Sequence, residues 1–525
     1  GRGPPPPSPT ELVQHPRVVL ALLPILSPHL CVQVTGPMQL SMTARALPSA
    51  SLGAVKGLPA RTSQTALRSA RAAASRRLLR THASQPKVGA AALEIPVTHP
   101  ENSSNAWNNN GDLQATGEWR RNLDLKGWAS EIRALEKELR NGQTVEDDVA
   151  HLKTILMWTN VCWLTGLALC PFTLFSCIPM SIAIMARWTM IGHHVCHGGY
   201  NAQQSENGII TGRFHRRSFA LGLRKRMIDW LDWMKPEAWD VEHNNLHHYK
   251  LGESGDPDLV ERNLENTIRF QKGQGVPVAL RLAQVVPLFF VWKWYYYAPN
   301  TLKELERWET NKALNRGEEP PAQNWSHVGE NAASIVTPVQ QLARGKLGTA
   351  VDLAKCLLPY GLMMFAVIPG GVYALFGAAA AKTALISVVL AELLTNFHSF
   401  CVIATNHAGN DIYKFETPVK VKSDEFYLRA VIGSTNFHVG SDYAKPGSFL
   451  ANSVDFMQGW LNYQIEHHMW ADMSMLSYQK AAPRVQAICE KYGVPYVKEP
   501  VWVRVKKTVD IMTGEANMLC WERGQ

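Results

Sequence analysis

Trp460-Leu-Asn-Tyr-Gln-Ile-Glu-His-His-Met-Trp470 is the stretch around which the chain is organised. It closes on two adjacent histidines, His467 and His468, with Gln464 three residues before the first. On a helix, neighbours point about 100° apart while residues three and four apart share a face, so Gln464, His467 and His468 are expected to converge on one spot. Two earlier stretches have the same character: His193-His194-Val195-Cys196-His197 and His243-Asn244-Asn245-Leu246-His247-His248. His193 and His197 are one helical turn apart, as are His243 and His247. The remainder of the chain reads as the means of bringing the three stretches together.

The 525 residues (58.5 kDa) are 46% hydrophobic, enough for a large core or for membrane spans. A mean hydropathy of -0.14 hides two long apolar tracts, Thr154–Ala186 and Cys356–Ala408, among polar segments. Net charge is +9, but much of the excess falls in the leader and in one loop, which assigns it to targeting and a membrane surface rather than to nucleic acid. Nine scattered cysteines without a C-x-x-C exclude a disulfide framework and a zinc ribbon, and fit a reducing compartment.

Residues 1–93 read as a transit peptide or disordered leader. Leu12 to Leu93 carries no Asp or Glu, while Arg, Ser and Ala abound, as in Ala66–Arg80, a composition typical of an organelle leader. Residues 94–150 hold an Asn-, Gly- and Ser-rich linker followed by an amphipathic helix over Trp128–Arg140, read as an ordinary solvated helix. Residues 151–500 form the membrane domain, and 501–525 a C-terminal tail.

The expected fold is all-α, a polytopic membrane protein of two transmembrane helical hairpins (about four spans) with a histidine-rich helical cap on one membrane face. Thr154–Ala186 suits a tight hairpin turning near Pro171. Cys356–Gly377 and Thr383–Thr405 suit a second, turning at Ala378–Lys382. Glu392 inside it should face protein rather than lipid. Each hairpin returns the chain to its starting side, so all three histidine stretches share one face, provided Val276–Pro299 does not cross. That segment, with Arg281, Lys293 and the aromatic run Trp292–Tyr297, reads as lying at the interface. The basic loop Arg213–Lys235 falls on the same side.

Imidazole suits iron, copper, zinc and nickel, and seven imidazoles exceed what one tetrahedral zinc could use, pointing to two metal ions. No H-E-x-x-H is present to indicate a zinc hydrolase. His215, His327 and His438 read as surface or loop histidines.

HHVCH, HNNLHH and QIEHH together resemble the three histidine boxes of the integral-membrane fatty acid desaturase superfamily, and the resemblance covers about Met157 to Val497. Glutamine opening the third box is similar to the front-end or acyl-lipid branch. The resemblance implies a non-haem di-iron centre that uses O2 and two electrons to remove two hydrogens from an acyl chain. It implies metal ligation by His193, His197, His243, His247, His248, His467 and His468. Asn406-His407 resembles the extra ligand site on the last membrane helix, with His398 as the competing candidate. His194 stands where the family often has Asp and reads as supporting the ligands, and Gln464 as a weak ligand at most. Glu242, Asp240 and Glu466 are the expected acceptors behind the histidines. With no H-P-G-G haem motif in the sequence, electrons are expected from a separate protein, ferredoxin for a chloroplast (envelope or thylakoid) enzyme acting on glycerolipid acyl chains. A sister hydroxylase or ketolase, or a non-catalytic assembly protein retaining the fold, would show the same boxes; product analysis and iron content separate them.

Overall fold

The computed structural model describes residues 117–201, 214–216 and 218–521. The leader lies outside the described residues. Helix α1 (Leu125–Asn141) starts at Asp124, whose carboxylate accepts from Gly127 N at 3.0 Å. Trp128, Ala129, Ile132, Leu135 and Leu139 recur at helical spacing and are buried, while the other face is solvated. Glu131 and Glu138 on that helix pair with Lys491 and Arg484.

Helix α2 (Val145–Leu169) is capped by Thr144, and Glu146, Asp147 and Asp148 in its first turn complement the helix dipole. The chain reverses through Cys170–Thr173, as Pro171 predicts, and returns as Leu174–His197, which we call α3. The second apolar tract is continuous from Gly348 to Asn406 except at Gly377, where φ 81° and ψ -177° break the helix. The expected turn at Ala378–Lys382 is therefore displaced to a single glycine. Four consecutive alanines are strong helix formers and stay helical, whereas only glycine tolerates that backbone conformation. Tyr360 donates to Glu392 Oε1 across the reversal at 2.5 Å, so arms 348–376 and 378–406 lie antiparallel.

Both reversals sit at one end, with the Phe172 and Phe376 rings 5.4 Å apart. Ser387 Oγ reaches Thr173 O at 3.4 Å and Thr395 Oγ1 lies 3.1 Å from Ser181 Oγ, both pairs 214 residues apart, so α3 and arm 378–406 run parallel. The apolar core of α3 is 72% buried against 22% for the other two apolar helices, which makes α3 the enclosed one. Leu164, Phe172, Phe175, Val367 and Leu375 form part of an exposed apolar belt suited to lipid.

Glu392 faces protein, as expected, and also accepts from Trp233 Nε1 at 2.7 Å. Within Val276–Pro299 the apolar helix spans only Val278–Phe290, shorter than the helices long enough to cross a membrane. The segment's charges are paired within the protein. Lys293 is fully buried against Asp232, and Arg281 pairs with Glu515 at 2.9 Å. Phe289 stacks on Phe400 at 3.9 Å and Trp292 Nε1 donates to Asn396 O at 2.8 Å, which fastens the segment to the return arm.

Residues read as a C-terminal tail include a docked helix, Val501–Thr513, and a strand. Leu519–Trp521 pairs in parallel with Tyr413–Phe415, the one sheet among the described residues of an otherwise all-α polytopic membrane protein.

Gly377→Ala is expected to destabilise the protein by about 1–3 kcal/mol although an added methyl would meet nothing within 4 Å. Thermal unfolding in detergent checks this, and an unchanged midpoint would remove the single-residue reversal.

Candidate metal centre

Each histidine stretch departs from a regular α-helix. Ala186–Gly192 is a π-helical turn leading directly into His193, and Asp240–Asn244 is another containing His243. Such π turns rotate the following side chains relative to the helix before them and are frequent at functional sites. After a break at Asn245 and Leu246, His247–Tyr249 forms a 3-10 turn, so His243 and His247 do not sit one α-helical turn apart as the spacing suggests. The third stretch enters through Trp460 (φ 57°) and Leu461–Tyr463, then forms the short helix Gln464–Met469. His407 follows the 3-10 turn Ala404–Asn406 at the end of the return arm.

These elements bring eight histidines into two adjoining groups. His193, His197, His243, His248 and His467 form one, and His247, His407 and His468 the other, with the candidate ligand atoms of each group within 4.8 Å of one another. The doublets do not converge on one spot, as the helical reading expects. His247 and His248 go to different groups, and so do His467 and His468. Adjacent residues diverge too far to aim at one point, so a doublet straddles two.

The rings are oriented from behind. His247 Nδ1 donates to Asp256 Oδ1 at 2.8 Å, which leaves Nε2 as a lone pair. His193 Nδ1 faces Thr189 O at 3.1 Å and its Nε2 faces His243 Nε2 at 2.9 Å, which in turn lies 3.2 Å from His248 Nε2. His467 Nδ1 lies 3.3 Å from the Tyr478 hydroxyl. His197 Nε2, His247 Nε2, His467 Nε2, His407 Nδ1 and both nitrogens of His468 are buried without a hydrogen-bond partner. Buried polar atoms are ordinarily satisfied, so converging imidazole lone pairs of this kind fit bound cations.

Burial, reinforced by neighbouring imidazoles, holds His243, His248, His467 and His468 well below the ordinary imidazole range, and burial with His247 and Arg504 does so for His407. His247 is the exception: burial opposes its charge, but Asp256 outweighs it and raises the pKa. Burial pushes Asp258 up to about 6 and Glu242 well above the carboxylate range.

Other expected residues fall outside the groups. His398 contacts Met457 O at 2.8 Å, Asn406 donates to Leu461 O at 2.7 Å, and His194 faces Met190 O at 2.7 Å. Glu466 accepts from Asn436 and Tyr496, and Asp240 from Asn244, rather than from histidines. Glu242 is buried with its carboxyl group beside that of Asp258, and Gln464 is buried at the start of its helix. His215, His327 and His438 lie in turns and loops away from both groups. The acceptor that sequence reasoning missed is Asp256. Its signal was Asp256-Pro257-Asp258, shortly after the second stretch, where a rigid proline flanked by carboxylates follows histidines.

The sequence model described as "Fatty acid desaturase" matches residues 171–500. The "sn-1 linoleoyl-lipid 6-desaturase" of Arthrospira platensis is 23% identical over 68% of this chain and 83% of its own length. The "NADPH-dependent stearoyl-CoA 9-desaturase" of Mycobacterium tuberculosis is 29% identical over 24% of this chain, and the match spans only 28% of that relative. "Fatty acid desaturase 3" of Bos taurus is 43% identical over 47 residues, 9% of this chain and 11% of its own. No solved structure matches.

The five depressed histidines take up protons on unfolding below the ordinary imidazole value of about 6.5, so metal-free protein is expected to lose stability as pH falls through it, by up to about 1.4 kcal/mol per pH unit for each. His247, with its raised pKa, works in the opposite sense as a single group. Urea unfolding of chelator-treated protein at about pH 7 and about pH 5 measures this, and equal stability at both would contradict neutral buried imidazoles.

Proposed function

The chain belongs to the fatty acid desaturase family, and from that premise we propose that it is a membrane acyl-lipid desaturase acting on a plastid glycerolipid. The observation that carries this reading is the division of eight buried histidines into groups of five and three at one end of two apolar hairpins. His193, His197, His243, His248 and His467 would hold one iron, and His247, His407 and His468 the other. The imidazole-only donor set suits iron. When bound, the pair supplies O2 activation for the removal of two hydrogens from an unactivated chain.

The chain's own residues then have distinct tasks. Asp256 fixes the tautomer of His247 and Tyr478 supports His467, keeping their lone pairs aimed forward. The π turn before His193 sets the direction of the first box. Burial of every ring excludes water from the reacting region. The match to the Arthrospira platensis lipid desaturase over most of both chains favours a lipid-borne acyl group. Ferredoxin is the proposed electron donor, in keeping with the acid-poor leader composition.

His247→Ala and His468→Ala should each abolish the unsaturated product while leaving membrane insertion intact. Lipid profiling of a complemented null strain, with double bonds located by mass spectrometry, reads the outcome, and activity retained in both variants would sink the ligand assignment. Purified protein should turn over with reduced ferredoxin; turnover with a microsomal cytochrome but not with ferredoxin would overturn the donor.

A further inference from the structure

His407 is held differently from the other histidines of the two groups. It lies on a loop that leaves the return arm, outside the three boxes. The backbone on both sides of it is clamped by one side chain from the helix Val501–Thr513. Arg504 is fully buried and donates Nη1 to both carboxylate oxygens of Asp411 at 2.7 Å, Nη2 to Ala408 O at 3.0 Å, and Nε to Thr405 O at 3.4 Å. Thr508, one turn further along, donates to Ala408 O at 3.1 Å. The anchor points thus bracket His407 on both sides. Gly409 confirms how close the clamp lies, since an added Cβ would fall 2.4 Å from Arg504 Nη2.

We propose that Arg504 is a positioning residue for His407, and that the C-terminal helix is a strap that completes the three-histidine group. A guanidinium suits the task because its rigid planar fork engages a carboxylate and two carbonyls at once, which a lysine ammonium cannot reproduce. The strap lies beyond the family match, which ends at residue 500. The five-histidine group is carried by other segments, α3, the second box and the helix Gln464–Met469, and does not depend on this loop.

The inference rests on the iron-binding reading above, and iron stoichiometry separates the two. Full-length protein purified in detergent is measured for iron per chain, with Mössbauer spectra of ⁵⁷Fe-grown material. The wild type should hold about two irons. Arg504→Gln should hold about one, matching His407→Ala, and the double variant should fall no lower than either. Arg504→Lys should recover part of the loss by keeping its charge toward Asp411. Lys506→Gln, on the exposed face of the same helix, should retain wild-type iron. Arg504→Gln with full iron overturns the proposal. Should that variant lose both irons or aggregate, Thr508→Val decides: selective loss at one site upholds the strap, and no loss or loss at both overturns it. A wild type without iron would sink the underlying metal reading instead.

Discussion

Both hairpins reverse at the same end of the bundle, and that constraint decides where the imidazoles meet. With Phe172 against Phe376 at the reversals, the return arms must run in the same direction. Ser387 with Thr173 and Thr395 with Ser181 pair at the same 214-residue offset, and both arms end on the side where the histidines gather. The return arms therefore deliver His193 and His197 to the five-histidine group and His407 to the three-histidine group. The second and third boxes supply the remainder from outside the arms, and because each ends in a doublet, each contributes to both groups. Two doublets are in this sense the joints between two sites rather than doubled ligands for one.

The same bundle shows how polar groups persist within an apolar frame. Glu392 is sustained by Tyr360 and Trp233, and Lys293 by Asp232 and the face of Trp188 at 4.3 Å. Removing one partner of such a buried pair costs about 3–5 kcal/mol, because the remaining charge has nowhere to go. The histidine groups are the exception to this completeness. At His247 and His467 one ring nitrogen is bonded while Nε2 is buried without a partner, and at His468 both nitrogens are, an arrangement that fits a bound cation.

Much of this was legible in the sequence because hydropathy and histidine spacing are local signals. The two apolar tracts, the turn at Pro171, the inward-facing Glu392 and the gathering of the boxes all follow from residue type and crossing parity. What local reading missed depends on contacts between distant segments. A helical wheel places Gln464, His467 and His468 on one spot, but the packing of several rings around them determines which nitrogen meets which neighbour. Lys293 and Arg281 look interfacial until Asp232 and Glu515, distant in the chain, are seen to pair with them. Arg504 approaches His407 across roughly a hundred residues of chain, a closeness no spacing rule reveals. The alanine run after Gly377 misled for the opposite reason: a turn was expected where helix propensity is strongest.

The carboxylates are distributed unevenly around the two groups, and this gives them different electrostatic characters. Asp256, Asp258 and Glu242 all lie by the second box, and Asp256 is bonded through His247 to the three-histidine group. His193 and His467 of the five-histidine group are backed by neutral partners, the Thr189 carbonyl and the Tyr478 hydroxyl, while Asp258 lies within 4.8 Å of ligand atoms of both His243 and His247. Mutual repulsion also raises the cost of keeping Asp258 and Glu242 both ionised so close to Asp256, and burial adds to it, so the carboxylates cannot all carry charge together. Positive charge placed among the three histidines relieves that repulsion. The second box and the Asp-Pro-Asp segment thus place Asp256 behind the three-histidine group and Asp258 where the two groups adjoin.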